Sequence, residues 1–312
     1  MKTIAHTISQ ALPVTFANWM RPKWHLFREL IYLYAKQNGF IKRDPSLLCW
    51  VVEKKIGDVI FRAPVRSFRE LRRVVRFGSN IDDLVFRWLV AIDDCSVLYD
   101  IGSANGHEGL AANALHKCHV VYVEMFTPSI ETILKGVVIA ERYNDVGKFD
   151  VVAAACDVEE RYAKVMLHQP PIAGSTRNSF DKLDAYCRGG RRDQKIWASQ
   201  WSPSVSIDAL HERHGIPVPT HVKMDIDGFE DRAIAGAANT LKAQLVRSWI
   251  IEINPGREEP IAQAMAANGY EDIAHFVHYE GIEDAVDHLY VRNDLVAEYK
   301  ARLSKLEEKL GK

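Results

Sequence analysis

The sequence has few cysteines, and none of them is paired at metal-binding or redox spacing. Its five cysteines are scattered through 312 residues and form no Cys-x-x-Cys motif. This pattern argues against a structural zinc site and against the disulfide framework of a small secreted domain.

The sequence also lacks long apolar runs and an excess of charge of either sign. No stretch approaches the roughly 18 uncharged apolar residues that indicate a membrane-spanning helix, and the first residues contain no long apolar signal segment. These absences predict no integral membrane segment and a cytoplasmic location. The formal net charge of −1 predicts that nucleic acid is not a partner.

The remaining composition, 47% hydrophobic and 26% charged residues, is that of an ordinary globular protein. From residue 96 onward, short apolar runs alternate with helical patterns, which predicts an α/β fold with a doubly wound, mostly parallel seven-stranded sheet. The predicted strands cover 97–100, 119–124, 149–156, 220–226, 247–253, 272–279 and 286–292. The last two lie close together and predict an antiparallel hairpin.

Three regions are predicted: a mainly helical N-terminal region over 1–95, the α/β domain over 96–292 and a C-terminal helix within 293–312. In the first region, apolar spacing predicts a helix over 24–36 and a strand pair at 47–52 and 58–61.

A capping box formed by Ser67 and Glu70 predicts a further helix that begins near Phe68. A stripe of arginines on this helix is expected to be a solvated face. The stripe consists of Arg69, Arg73 and Arg76.

The most informative segment follows the first strand of the α/β domain. After Asp100, small residues recur at Gly102, Ala104 and Gly106, before a helical stretch begins. Such a turn lets backbone N–H groups approach a flat or anionic ligand. A dinucleotide fingerprint needs glycine at position 104, so the spacing fits an S-adenosylmethionine turn better. A turn without a ligand is the alternative. The predicted cofactor site includes Asp100 and the whole turn, with Ser103 and Asn105.

The next predicted strand ends on an acid in the position expected of a nucleoside-binding site. Glu124 lies 22 residues after Gly102, and a carboxylate about 20 residues past such a turn accepts hydrogen bonds from ribose hydroxyls. Glu124 and the following Met125 are therefore assigned to the cofactor site.

A third segment resembles a known enzyme family. Lys223, Asp225, Asp227 and Glu230 form the pattern Lys-x-Asp-x-Asp-Gly-x-Glu, followed by Ala-Gly-Ala at 235–237 and the Ile-Glu-Ile strand at 251–253. Together with elements over roughly 59–292, this pattern resembles the FkbM family of class I S-adenosylmethionine-dependent methyltransferases.

The resemblance implies a class I, Rossmann-like methyltransferase, with O-methylation of a sugar hydroxyl in a polysaccharide, glycolipid or secondary metabolite. It also implies that Asp157, at the end of the third strand, faces the adenine amino group, although such an acid is also a common turn or helix cap. The alternatives are a nicotinamide-dependent oxidoreductase and a non-catalytic module that keeps the fold.

The acids of the third segment are the candidate catalytic groups. Asp225 and Asp227 point to the same side of their strand, and with Lys223 they are expected at the carboxyl edge of the sheet. They could accept a proton from the attacking hydroxyl or stabilise the sulfonium. A less favoured option is a divalent metal site that uses Asp225, Glu252 and Asn254. Capping of the following helix is the non-functional alternative.

Two further segments carry open alternatives. The long stretch over 168–204 combines basic residues with Trp197 and Trp201, which suits either a lid over an anionic small-molecule or glycan acceptor or a solvated loop. In the C-terminal helix, a seam of four apolar residues favours packing on the parent domain over a homodimer contact. The seam consists of Tyr299, Leu303, Leu306 and Leu310.

Overall fold

In the computed structural model, the described residues are 41–78, 83–92, 95–143, 147–175, 178–181, 195–277 and 285–310. The predicted helix over 24–36 and most basic residues of the predicted lid lie outside these ranges. The strands are β1 (Ile41–Asp44), β2 (Cys49–Ile56), β3 (Val59–Val65), β4 (Val97–Ile101), β5 (His119–Val123), β6 (Phe149–Val152), β7 (Ala155–Cys156), β8 (Tyr162–Leu167), β9 (Asn178–Phe180), β10 (Ala198–Val205), β11 (His221–Met224), β12 (Ser248–Ile253), β13 (Tyr270–Val277) and β14 (Val286–Arg292).

The described α-helices flank these strands. They are α1 (Phe68–Arg76), α2 (Leu84–Ala91), α3 (His107–His116), α4 (Thr127–Arg142), α5 (Ile207–Glu212), α6 (Glu230–Ala235), α7 (Ala238–Lys242), α8 (Glu258–Ala267) and α9 (Val296–Leu310). A 3-10 turn over Asn293–Leu295 precedes α9. In the part of the chain that the structure describes, no helix is long and apolar enough to cross a membrane.

The main sheet has seven strands in the order β13-β14-β12-β11-β4-β5-β6. The five strands from β12 to β6 are mutually parallel, whereas β14 pairs antiparallel with both β12 and β13. The predicted doubly wound sheet and its terminal hairpin are therefore confirmed. This sheet defines the Rossmann-like fold of the class I methyltransferases.

Both faces of the main sheet are buried, as alternating strand residues show. Leu98, Val120 and Ile250 belong to one apolar core. Their chain neighbours Tyr99, Val121 and Ile251 belong to the core on the other face. Because side chains alternate along a strand, near-continuous apolar runs are what a sheet covered on both faces requires.

The N-terminal strands form a separate antiparallel sheet, in the order β1-β2-β3, that lies against the main domain. Phe61 of β3 and Trp88 of α2 share one core with Leu110 of α3 and Tyr299 of α9. The predicted boundary at residue 95 thus runs between segments that are packed together. The helix predicted from the capping box begins at Phe68, with Ser67 as its N-cap.

The third predicted strand and the predicted long loop were partly wrong. The strand predicted over 149–156 divides into β6, which stays in the main sheet, and β7, which pairs with β10. A second, four-stranded sheet with the order β7-β10-β8-β9 uses residues assigned to the loop. Trp197 directly precedes β10 and Trp201 belongs to it, and each of the two residues is more than half exposed. Because β10 contains serine, proline and glutamine, its sequence lacks the apolar alternation that predicts a strand.

The C-terminal helix packs on its own domain. Tyr299 and Leu303 are buried, and α9 contacts α2, β13 and β14. The Tyr299 hydroxyl lies 2.7 Å from Nε2 of the buried His221 in β11. Two of the four seam residues, Tyr299 and Leu303, therefore pack against other elements of the same chain.

Candidate functional site

The turn between β4 and α3 brings the first and third motifs into contact. Gly102 has a φ of +74°, and a Cβ atom there would lie 1.8 Å from the carbonyl oxygen of Asp225. Only glycine fits this close approach, since it has no Cβ and accepts a positive φ. Ala104, with a φ of +49°, adopts the same left-handed region at a conformational cost.

The remaining residues of the turn are buried and shape it. Gly106, with a φ of +71°, is the N-cap of α3. The Ser103 hydroxyl donates to the carbonyl oxygen of Asp100, and Asn105 is fully buried. These three predicted cofactor residues are therefore buried within the turn.

Glu124, at the end of β5, is held against the turn. Its carboxylate accepts a hydrogen bond from the backbone N–H of Ala104 and another from that of Phe126, each at 2.8 Å. Burial raises the pKa of Glu124 to about 7. Because an ionised carboxylate has about four acceptor positions, Glu124 keeps the capacity to accept hydrogen bonds from a ligand.

Lys223 lies at the centre of a buried cluster of charges. Its Nζ atom is 3.1 Å from Glu108, 3.5 Å from Asp100 and 3.7 Å from Asp225. Burial raises the pKa of Asp100 to about 6 despite Lys223. Burial also opposes ionisation of Glu108, but Lys223 holds the pKa of that carboxyl at about 2.

One ammonium therefore faces three carboxylates, and the cluster has an excess of negative charge. The side chain of Asp100 is completely buried, whereas that of Asp225 is 40% exposed. Burial raises the pKa of Asp225 above its ordinary value. Asp225 is thus the member of the cluster that can meet a ligand as an acceptor of protons.

An open cleft of about 310 Å³ lies at the carboxyl ends of the strands, where open α/β sheets bind ligands. Asp227 also lines it and has a left-handed backbone, with a φ of +56°, a strained conformation of the kind found at functional sites. The predicted site residues that line the cleft are Gly102, Ala104, Glu124, Met125, Lys223, Asp225 and Asp227.

The structure does not bring Asp157 into this cleft. Its buried carboxylate accepts hydrogen bonds from Arg161 and Arg232. Burial opposes its ionisation, but the bonds from Arg232 and Arg161 hold the pKa of Asp157 below its usual range. The residues just before Asp157 line the cleft in its place, with the small side chains of Ala154, Ala155 and Cys156.

Two of the three residues proposed as metal ligands are engaged with protein groups: Asp225 with Lys223, and Asn254 with Glu230. Asn254 donates to Glu230 at 2.9 Å, and Glu230 also accepts from the backbone N–H of Gly228. Burial raises the pKa of Glu230 to about 7, and it raises that of Glu252 well above its ordinary value. Within the described ranges, no group of three or more His, Cys, Asp or Glu residues is arranged to hold a metal ion.

Two polar residues that the sequence analysis did not assign line the cleft with buried atoms. Within the described residues, Nδ1 of His107 and Oδ1 of Asn178 are buried and have no hydrogen-bond partner. Burial lowers the pKa of His107 to about 4, so its imidazole is neutral. A polar residue directly after Gly106 was the signal available for His107, whereas Asn178 belongs to a strand that was not predicted.

The arginine stripe of α1, expected to be a solvated face, is only partly solvated: Arg76 is exposed, whereas Arg69 and Arg73 are partly buried. Arg73 and Arg76 line the cleft, together with Arg72. Arg69, one turn earlier, donates hydrogen bonds to Gln169 and Ser175. The spacing of the arginines placed them on one face of a helix, but the sequence could not show that this face of α1 lines the cleft.

Comparisons with known proteins complete this description. No protein-family model matches the sequence, and no curated protein matches it. Among solved structures, the chain is similar to a methyltransferase FkbM from Methylobacillus flagellatus KT, with 15% identity and a TM-score of 0.41. The alignment covers 64% of this chain but only 44% of that protein.

Two other solved structures contain the cofactor. Magnesium protoporphyrin IX methyltransferase from Synechocystis, with bound SAM, has 14% identity and a TM-score of 0.39 over 73% of this chain and 85% of that one. M. jannaschii TYW2 in complex with AdoMet has 11% identity and a TM-score of 0.36 over 78% and 86%. Because the identities and TM-scores are low, the assignment of the fold rests on the order and directions of the strands in the main sheet.

Proposed function

We propose that the protein is an S-adenosylmethionine-dependent methyltransferase. The observation that carries this proposal is the meeting of the turn over 102–106, Glu124 and Asp225 in one cleft. The volume of about 310 Å³ lies within the range of small-molecule sites.

The residues present fit the cofactor. Glu124 is placed to accept from ribose hydroxyls, and the small side chains over 154–156 leave room for a flat base. The excess of carboxylates around Lys223 suits a sulfonium cation. The partnerless atoms of His107 and Asn178 offer further polar contacts to a ligand.

When bound, the cofactor supplies an electrophilic methyl group to a nucleophilic oxygen and leaves as S-adenosylhomocysteine. Asp225 would take the proton of that hydroxyl as the new bond forms, because it is the most exposed carboxylate of the cluster and lines the cleft. Lys223 is a positioning residue, because its ammonium also donates to the carbonyl oxygen of Gly102, at 3.3 Å. Asp227 also lines the cleft. Much of the rate enhancement comes from holding the acceptor hydroxyl in line with the methyl group.

For the acceptor, we propose a sugar hydroxyl in a polysaccharide, a glycolipid or a secondary metabolite. This finer proposal is supported by the sequence motif over 223–230 that resembles the FkbM family, and by the hydroxyl chemistry available to Asp225. The solved FkbM structure is similar in fold only.

The oxidoreductase alternative has less support in the cleft. A nicotinamide dinucleotide would place a pyrophosphate at the N-terminus of α3. Glu108 occupies the first turn of that helix and is ionised, with a pKa of about 2, so it would repel phosphate.

Calorimetric titration tests the proposed function. The full chain should bind S-adenosylhomocysteine and not NADH. Binding of NADH alone would favour an oxidoreductase, and binding of neither ligand would favour a non-catalytic module that keeps the fold.

A further inference from the structure

Three arginines of α1 form one side of the cleft, and we call them the arginine wall: Arg72, Arg73 and Arg76. Residues three and four apart lie on the same face of a helix, so Arg76 is a neighbour of both of the others. Arg72 and Arg76 are exposed, and Arg73 is half-buried. The wall is therefore a concentrated positive surface that a ligand in the cleft would meet.

The same cleft is also lined by carboxylates. They are Asp83 at the N-cap of α2, Glu108 in the first turn of α3, Glu124 directly after β5 and Asp225 directly after β11. The positive charge of Arg73 lowers the pKa values of both Glu108 and Asp225, although it is not the largest influence on either. The wall and the carboxylates therefore share one electrostatic environment within the cleft.

A ligand complementary to this cleft carries charged groups of both signs. The carboxylates suit the sulfonium of the cofactor, as proposed above. Arginine binds phosphate and carboxylate groups through paired, charge-assisted hydrogen bonds. We propose that the arginine wall binds an anionic group of the methyl acceptor, best matched by a phosphate ester.

This inference rests on the proposed function, and it selects an acceptor class within it. The reactive hydroxyl would lie near Asp225, and the anion would be bound by the arginines of α1. A phosphorylated sugar or another phosphate ester meets both requirements. A neutral sugar would leave the wall without a role in recognition.

The cofactor contains a carboxylate of its own, and this is the competing source of an anion. One carboxylate is satisfied by one guanidinium fork, whereas the wall supplies three guanidinium groups. That number fits a doubly charged phosphate better. The two sources differ experimentally, because loss of the wall would weaken cofactor binding only if the wall holds the cofactor.

The test uses inorganic phosphate as the probe, titrated at low salt into the full chain saturated with S-adenosylhomocysteine. The double variant Arg72→Gln/Arg76→Gln removes the two exposed members of the wall. The matched control is Arg142→Gln/Arg213→Gln, two exposed arginines whose partners Asp44 and Glu160 lie outside the cleft. Thermal unfolding of each variant confirms that it is folded.

We expect phosphate to bind the wild-type and control proteins, and to bind the wall variant at least about tenfold more weakly. The affinity for S-adenosylhomocysteine should stay within about twofold in all three. Equal phosphate binding by the wall variant would overturn the inference alone. A tenfold loss of cofactor affinity in that variant would instead assign the wall to the cofactor carboxylate. Failure of the wild-type protein to bind S-adenosylhomocysteine would overturn the proposed function itself.

Discussion

The ammonium of Lys223 lies 3.1 Å from the carboxylate of Glu108, and this contact joins the strand of the third motif to the helix that follows the glycine turn. The pair is buried beside Asp100 and Asp225. Removal of Lys223 would leave three carboxylates without their ammonium, which is costly for buried charges. The contact therefore holds the first turn of α3 beside the end of β11.

Replacement of Gly102 with alanine should destabilise the protein far more than the same change at Gly215. Both glycines have a positive φ, +74° and +69°, but an added Cβ at Gly215 meets nothing within 4 Å. The left-handed conformation alone costs about 1–2 kcal/mol, and Gly102→Ala adds a clash with backbone. Chemical denaturation measures both variants. Equal losses would show that the close approach to Asp225 does not matter.

Protonation of Glu124 should stabilise the folded chain. Its pKa rises from 4.5 to about 7 on folding, so the stabilisation is complete below pH 4.5 and is lost as the pH rises through 7. Relative to Glu124→Gln, the free energy of unfolding of the wild-type protein should fall by up to about 3 kcal/mol across this window. Urea denaturation at several pH values measures the difference. A constant difference would refute the buried, proton-binding state of Glu124.

Asp225→Asn should reduce turnover strongly with little change in cofactor affinity, because it removes a base and keeps the shape. A general base contributes roughly a hundredfold or more, and an effect confined to the transition state appears in kcat. The matched control is Asp272→Asn, which lies outside the cleft and pairs with His288. Turnover is followed by transfer of a labelled methyl group to a hydroxyl acceptor found by screening.

If Asp225→Asn keeps normal turnover, the proposed role of Asp225 as a base is wrong. Dialysis against a chelator is measured alongside. Loss of turnover on dialysis, restored by a divalent cation, would instead support the metal role that the sequence left open for Asp225, Glu252 and Asn254.

Truncation after Asn293 should lower the stability of the folded chain, and not only change its oligomeric state. Removal of α9 would expose the core around Tyr299 and Leu303 and deprive His221 of the Tyr299 hydroxyl. Tyr299→Phe isolates the second effect and should cost about 1–3 kcal/mol, the loss of a buried hydrogen bond. Light scattering and thermal unfolding check both variants. A stable, folded monomer from a dimeric parent would support the seam as a subunit contact.

Elements with strong apolar periodicity could be predicted from the sequence, and those that depend on tertiary contacts could not. The runs at 119–123 and 248–253 are buried on both faces, so their strands were evident. By contrast, β10 contains polar residues and a proline, and it becomes a strand by pairing with β7 and β8.

The same distinction applies to the candidate site. Local spacing was enough to predict that the turn at Gly102, Glu124 and Asp225 lie at one edge of the sheet, and they line one cleft. It could not show that the Asp157 carboxylate is engaged by Arg161, four residues later, and by Arg232 of α6. It also could not show that Arg73 and Arg76 line the cleft, because their position depends on how α1 packs.

The central claim is that this cleft binds S-adenosylmethionine through Glu124, beside the carboxylate of Asp225. The measurement that tests it most directly is a crystal structure of the full chain with S-adenosylhomocysteine bound. We expect the ribose hydroxyls within hydrogen-bond distance of Glu124, the base against residues 154–156 and the sulfur on the side of Asp225. A ligand that binds elsewhere, or one that lies in the cleft without contacting Glu124, would contradict the account.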